Sequence, residues 1–488
     1  MKSTPAMKTR LLLLAVFPCL LFVDSTIAQG DAKTWMPTFE STMRRLDAVE
    51  AENRLLRSEL EGWLRSGDAE SVRTTSIAHV DEFSNGIQNN GGNNLPPQGC
   101  SCDRHPCQCP PTPAPCVDCP HVTTLSPYFN LRVFGSLTGE LIFAEARPVI
   151  PSGVVLITPD FGQDTETAEV HAKSSSLGVL LAGPQIAGLQ SGGTFLTYLY
   201  GETFQEDKYG FYIVRAFGEL KNEFVRFAMG LNGDVVNPRS PTTINFNAAN
   251  GAGNLGFFRG QFLAEKYFHF GSNAQLTAQF ALSDPVATSF ASFDQPPFNL
   301  LETNGWPNVE ARAALALGPK PLRPSRPRPF ELGLSGLVGQ LRRTDTPVNH
   351  IHDVWALGAD VHVGLNEAVG FNGEFFTGQA IGNYNAMIFL VDNGAFGAVR
   401  STGGWGEVYV NWTPCLHSHF GYGIDDPLNS TLTAGLPTRN ELVFANIIWD
   451  VTKNLEIGFE VSRWETSYMA PLRDNEAMAY HTRVRLKF

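Results

Sequence analysis

Six cysteines crowd one short stretch, Cys100, Cys102, Cys107, Cys109, Cys116 and Cys119, spaced C-x-C, C-x-C and C-x-x-C, with His105 and His121 close by. That density suits either cross-linking or a soft metal held on thiolates. In an exported chain the oxidising compartment favours disulfides, whose pairing the spacing does not choose. Zinc completed by His105 or His121 is the competing reading. Cys415 stands apart in Pro414-Cys415-Leu416-His417 and reads as structural or free. His417 and His419 with Asp425 invite a hydrolytic reading, but the region carries no G-x-S-x-G and no carboxylate pair with a clear partner. No catalytic residue, enzyme activity or cofactor is expected. A second group is basic: Arg215, Arg226, Arg239 and Arg259 lie in neighbouring segments. Guanidinium forks hold carboxylates through paired hydrogen bonds, and a converging set would attract anions.

The elements that position these groups are legible from the end of the chain. Tyr480, Thr482, Val484, Leu486 and Phe488 alternate with His481, Arg483, Arg485 and Lys487. One face free of charge and one basic face fit a strand between lipid and a watery lumen. A last strand ending in Phe also resembles the assembly signal of bacterial outer-membrane proteins, with Tyr480, Val484, Leu486 and Phe488 as its residues and the barrel-assembly machinery as partner. At the other end, Lys2, Lys8 and Arg10 precede an apolar run from Leu11 to Val23 and then Thr26-Ile27-Ala28. This reads as a signal peptide over 1–28. No other apolar run approaches the roughly 20 residues of a spanning helix. The net charge of −12 argues against nucleic acid as partner.

Four regions follow from these patterns. After the signal peptide, residues 29–66 read as a coiled-coil oligomerisation helix of about three and a half heptads. Phe39, Leu46, Asn53 and Leu60 form one seam position; Thr42, Val49, Leu56 and Trp63 form the other. The polar Asn53 would fix register. Residues 67–127, rich in Asn, Gly and Pro, read as a disordered linker carrying the cysteines. Residues 128–488 read as an all-β, antiparallel transmembrane barrel of about 16 strands, short turns at the periplasmic rim and long loops outside. Alternation breaks around Ser174 to Ser176, and Pro319 to Pro329 makes one turn longer.

Parity assigns the lumenal side chains. Arg132, Lys173, Arg215, Lys221, Arg226, Arg259, Arg312, Arg483 and Arg485 point inward, as do Glu140, Glu219, Glu265, Glu310, Asp360, Glu374, Glu407 and Glu460. The third external loop, Asp234 to Asn254, is long enough to fold into a lumen that would otherwise be an open aqueous channel. Asp234, Asn237, Arg239, Asn245 and Asn247 are then candidates to line a constriction; the competing placement sets this loop over a subunit interface. Of all these, Arg132, Arg215, Arg226, Asp234, Arg239, Arg259, Glu265, Arg312, Arg483 and Arg485 are the pore-lining set.

The order of signal peptide, coiled coil, linker and barrel resembles the DcaP-like trimeric porins of bacterial outer membranes. So do Gly230 to Pro238 leading into the third loop, Gly253-Asn254-Leu255-Gly256 with Arg259 and Gln261, and Phe420-Gly421-Tyr422-Gly423-Ile424-Asp425-Asp426. The resemblance implies a homotrimer in the outer membrane, in contact with lipid, passing small hydrophilic anions such as dicarboxylates through an arginine-lined constriction. The cysteine-rich linker departs from the family pattern. The competing reading is a structural envelope barrel tethered to a periplasmic layer through that linker and the coiled coil.

Overall fold

A computed structural model describes residues 123–126 and 129–488, apart from 164, 201–208, 286–300, 321–326, 344–349, 394 and 396. The signal peptide, the coiled coil and the six clustered cysteines lie outside the described residues.

Alternating sequence becomes strand after strand: β1 (Phe129–Ala144), β2 (Thr167–His171 continued by Ser176–Ile186), β3 (Leu189–Tyr198), β4 (Tyr212–Lys221), β5 (Val225–Gly233), β6 (Phe258–Phe270), β7 (Ala274–Ser283), β8 (Asn308–Leu317), β9 (Phe330–Arg343), β10 (His350–Gly364), β11 (Val369–Gln379), β12 (Arg400–Thr413), β13 (Leu416–Pro427), β14 (Pro437–Asp450), β15 (Leu455–Tyr468) and β16 (Asn475–Lys487). Each pairs antiparallel with the next, and β16 returns to β1 from Ala479 opposite Ala144 to Lys487 opposite Ser136. The result is a closed barrel of 16 strands. Closure satisfies every strand edge, which a barrel in hydrocarbon requires. Two short pieces add to it: Thr123–Ser126 folds back along β1, and Leu301–Thr303 pairs with the far end of β9.

Parity sorts the side chains as expected. Leu137, Phe262, Leu334, Leu357, Val484 and Leu486 are exposed outward, whereas the alternate residues of the same strands are buried inward. An apolar surface this continuous is stable only against lipid or another apolar face. Tyr480 and Phe488 lie on the same outward face, and Phe488 completes the seam: its N–H donates to Gly135 O and its carbonyl accepts from Gly135 N–H, both at 3.0 Å. A Cβ on Gly135 would stand 2.8 Å from the Phe488 ring, so the ring rests on bare backbone.

Departures from ideal strands have local causes. The break in β2 is a turn at Ala172 to Ser175, where Ser175 Oγ accepts the Thr138 N–H at 2.9 Å and Lys173 is wholly buried. The hairpin turn into β3 is Ala187-Gly188, both at positive φ, preceded by a bulge at Gly183-Pro184. Alanine in that position is a weak turn signal.

Candidate pore constriction

Loop 3, residues 234–257, enters the lumen and crosses it. Its base is clamped where β5 ends and β6 begins: Asp234 receives Arg259 Nε at 2.5 Å and Nη2 at 3.2 Å, and accepts the Phe257 N–H at 2.8 Å. Arg259 is completely buried. Its remaining N–H groups reach the carbonyls of Asp284 and Asn383, and its plane lies 3.6 Å from the Tyr384 ring centroid. Such a guanidinium is a structural clamp for the loop, with no face left for solute.

Beyond the clamp, inward carboxylates of the wall hold the loop backbone one N–H at a time. Glu310 of β8 accepts from Val235 at 2.9 Å, Glu374 of β11 from Arg239 at 2.5 Å, Glu407 of β12 from Thr242 at 2.8 Å, and Glu460 of β15 from Ile244 at 2.7 Å. A loop backbone inside a barrel has no sheet partner of its own, and buried N–H groups must be satisfied. The parity-assigned carboxylates supply that need. Arg239 adds its side chain, reaching Asp360 at 2.9 Å and Glu331 at 2.9 Å, and Arg312 converges on the same two carboxylates. On its return the loop lies flush on the wall. Gly253, at φ +103°, would carry a Cβ only 2.1 Å from Gly404 O, so a side chain there is excluded by both conformation and space.

Loop 3 is not alone in the lumen. From the loop between β1 and β2, Val154 and Gly153 offer carbonyls to Asn245 and Asn247, and Val154 and Ile157 are fully buried. From the loop between β11 and β12, Tyr384 donates to Glu310 at 3.0 Å, Ile388 N–H reaches Asp425 at 3.2 Å, and Tyr384 O accepts the Gly256 N–H at 2.8 Å. Phe246 stacks on Tyr200 at 4.0 Å. Three loops thus narrow the barrel together. The signal for the other two was present: Val154-Val155-Leu156-Ile157 and Ala386-Met387-Ile388-Phe389 are apolar runs that a solvated external loop has no reason to carry.

The four arginines do not converge. Arg259 and Arg239 serve loop 3 as above, and Arg226 on β5 is held by Glu219 at 2.7 Å and Glu265 at 3.3 Å. Glu265 also accepts from Tyr267 and Gln279. Arg215, half-buried on β4, has no hydrogen bond or ion pair among the described residues; a bulge places it and Val214 side by side on the lumenal face, near Tyr198 and Arg226. Arg132 faces the lumen from β1. On β16, Glu456 of β15 gathers Arg483 at 2.7 Å, Arg485 at 3.6 Å and Lys487 at 2.9 Å, and Arg483 also donates to Ile244 O. His417 and His419 do not meet Asp425: six residues of strand, roughly 20 Å, separate them. Asp425 is occupied by Ser401 and Ile388.

No protein-family model matches the chain, and no curated protein matches it in sequence. Among solved structures, the outer membrane channel DcaP of Acinetobacter baumannii superposes with a TM-score of 0.58 at 13% identity, over 74% of this chain and 98% of that one. An anion-selective porin from Comamonas acidovorans gives a TM-score of 0.48 at 9% identity, over 74% and 100%. The chain therefore shares its fold with the DcaP channel.

Proposed function

We propose that this barrel is a porin of the bacterial outer membrane, giving passive diffusion of small hydrophilic solutes with a preference for anions such as dicarboxylates. One observation carries the sign of the preference. The inward carboxylates on the wall from β8 to β15 are engaged by the lumenal loops or by basic side chains, whereas Arg215 on the opposite wall has no carboxylate partner among the described residues. Fixed negative charge turned towards a backbone contributes little field along the path, while a half-buried guanidinium on the lumenal face without a counter-charge does. Outer-membrane residence is the natural setting for the outward apolar band and the closed barrel. The heptads of residues 29–66 support assembly as a homotrimer with the coiled coil in the periplasm, and Cys100 to Cys119 would staple or metallate the linker beneath the barrel.

A second reading is favoured by the burial of the first, third and sixth loops against one another: a plugged barrel, tethered through the linker, serving as an envelope protein. Planar-bilayer recording under a salt gradient separates the two. Three equal closing steps with an anion-favouring reversal potential support the porin; no current from folded barrels supports the plug.

A further inference from the structure

His417 and His419 alternate on β13 and so project from the same face of the strand, one turn away from the tight β12–β13 connection. Ser418 between them occupies the other face, where its Oγ accepts the Trp412 indole N–H at 2.9 Å. The two imidazoles meet nitrogen to nitrogen, His417 Nδ1 and His419 Nε2 being 3.1 Å apart with the rings nearly perpendicular. Each ring turns its other nitrogen towards a carboxylate. His419 Nδ1 lies 3.4 Å from Glu407 Oε2, and His417 Nε2 lies 4.0 Å from Asp450 Oδ2.

That arrangement favours one pair of tautomers. A proton on each outer nitrogen faces a carboxylate, which leaves a lone pair on each inner nitrogen. Two ring nitrogens 3.1 Å apart are held together by a shared proton or by a metal ion between them. We propose that the pair is a binding site for a borderline divalent cation, Zn²⁺ or Cu²⁺, taken by His417 Nδ1 and His419 Nε2. At metal–nitrogen lengths of about 2.0–2.1 Å, nitrogens on one ion lie about 2.9 Å apart at a right angle and about 3.3 Å apart in a tetrahedron. The observed separation falls between them and needs only a small ring adjustment. Glu407 and Asp450 then act as the carboxylates that orient the ligating rings and raise their basicity. No third His, Cys, Asp or Glu completes the set among the described residues, so water fills the remaining positions and the site stays open. Glu407 also accepts the Thr242 N–H, so the ion would be linked to loop 3 through His419 and Glu407.

The test uses full-length protein in detergent, with cysteines alkylated and His79, His105 and His121 of the linker replaced by alanine, so that linker ligands are silent. Cu²⁺ is titrated, and electron paramagnetic resonance reads the number of coordinating nitrogens. The expected result is one equivalent per chain bound through two nitrogens, with affinity at least tenfold weaker in His417→Ala and in His419→Ala. Asp450→Asn, which removes no ligand, should weaken binding by about tenfold, the lower end for losing a carboxylate that orients a ligating ring. Heat-modifiable mobility on gels checks that each variant is a folded barrel; if either alanine variant is not, Asp450→Asn decides. Copper bound with unchanged affinity and spectrum in the folded variants overturns the proposal, as does single-nitrogen coordination in the parent.

Discussion

Replacing Asp234 by alanine strips the clamp at the base of loop 3 and leaves Arg259 charged, wholly buried and without its carboxylate. Removing one partner of a buried pair costs about 3–5 kcal/mol. At about 1.4 kcal/mol per tenfold, the docked loop loses roughly two to nearly four orders of magnitude in its equilibrium against the undocked one. The remaining anchors resist complete release. The backbone N–H groups of Val235, Arg239, Thr242 and Ile244 each keep a carboxylate acceptor, worth about 1.5–3 kcal/mol apiece. The loop should therefore stay mostly docked and detach in brief excursions. Single-channel recording would register this as excess open-channel noise and short upward steps, with a modest rise in mean conductance. Asp234→Asn keeps an acceptor for the Phe257 N–H and for one arm of Arg259 while losing the charge, so its noise should fall between the two. Folded Asp234→Ala barrels with wild-type noise and conductance would refute the idea that this pair governs the constriction.

Four other outcomes are expected. Arg215→Glu should move the reversal potential under a salt gradient towards cations; no movement would take Arg215 off the conduction path. Gly253→Val cannot dock against Gly404 and should raise mean conductance, whereas Gly260→Ala, where a Cβ meets nothing within 4 Å, should not. Deleting Phe488 should abolish assembly in the outer membrane, read by loss of the heat-modifiable band. On non-reducing gels the full chain should run as a ladder that reductant collapses if Cys100 to Cys119 join subunits; identical lanes would count against that link.

The barrel itself was legible because its rule is local. A period of two residues tells which side faces lipid, and every lumenal arginine and carboxylate assigned by parity is on the opposite, inward side. What each of them touches was not legible. Arg239 looked adjacent to Arg226 and Arg259 because its loop joins their strands, yet that loop carries it across the lumen to Asp360 on β10. Parity also read the inward carboxylates as ordinary lining of a hydrated lumen. Their binding of loop backbone depends on long-range closure, which no window of sequence contains. The pairing of His417 with His419 was visible as a spacing, but Glu407 and Asp450 come from the two neighbouring strands and place a carboxylate beside each ring's outer nitrogen.

The seam between β1 and β16 has a consequence for how the molecule comes into being. Every other strand finds its partner as a hairpin or a near neighbour in the chain, but Gly135 must wait for Phe488, at the far end of the barrel sequence. Closing that ring carries the largest loop-closure entropy in the barrel and therefore belongs at the end of folding. Until then both edge strands present open ladders of N–H and C=O groups. A polypeptide stalled or clipped before β16 remains an open sheet with two adhesive margins, so the pairing of β16 with β1 doubles as a check that all the other strands are in place.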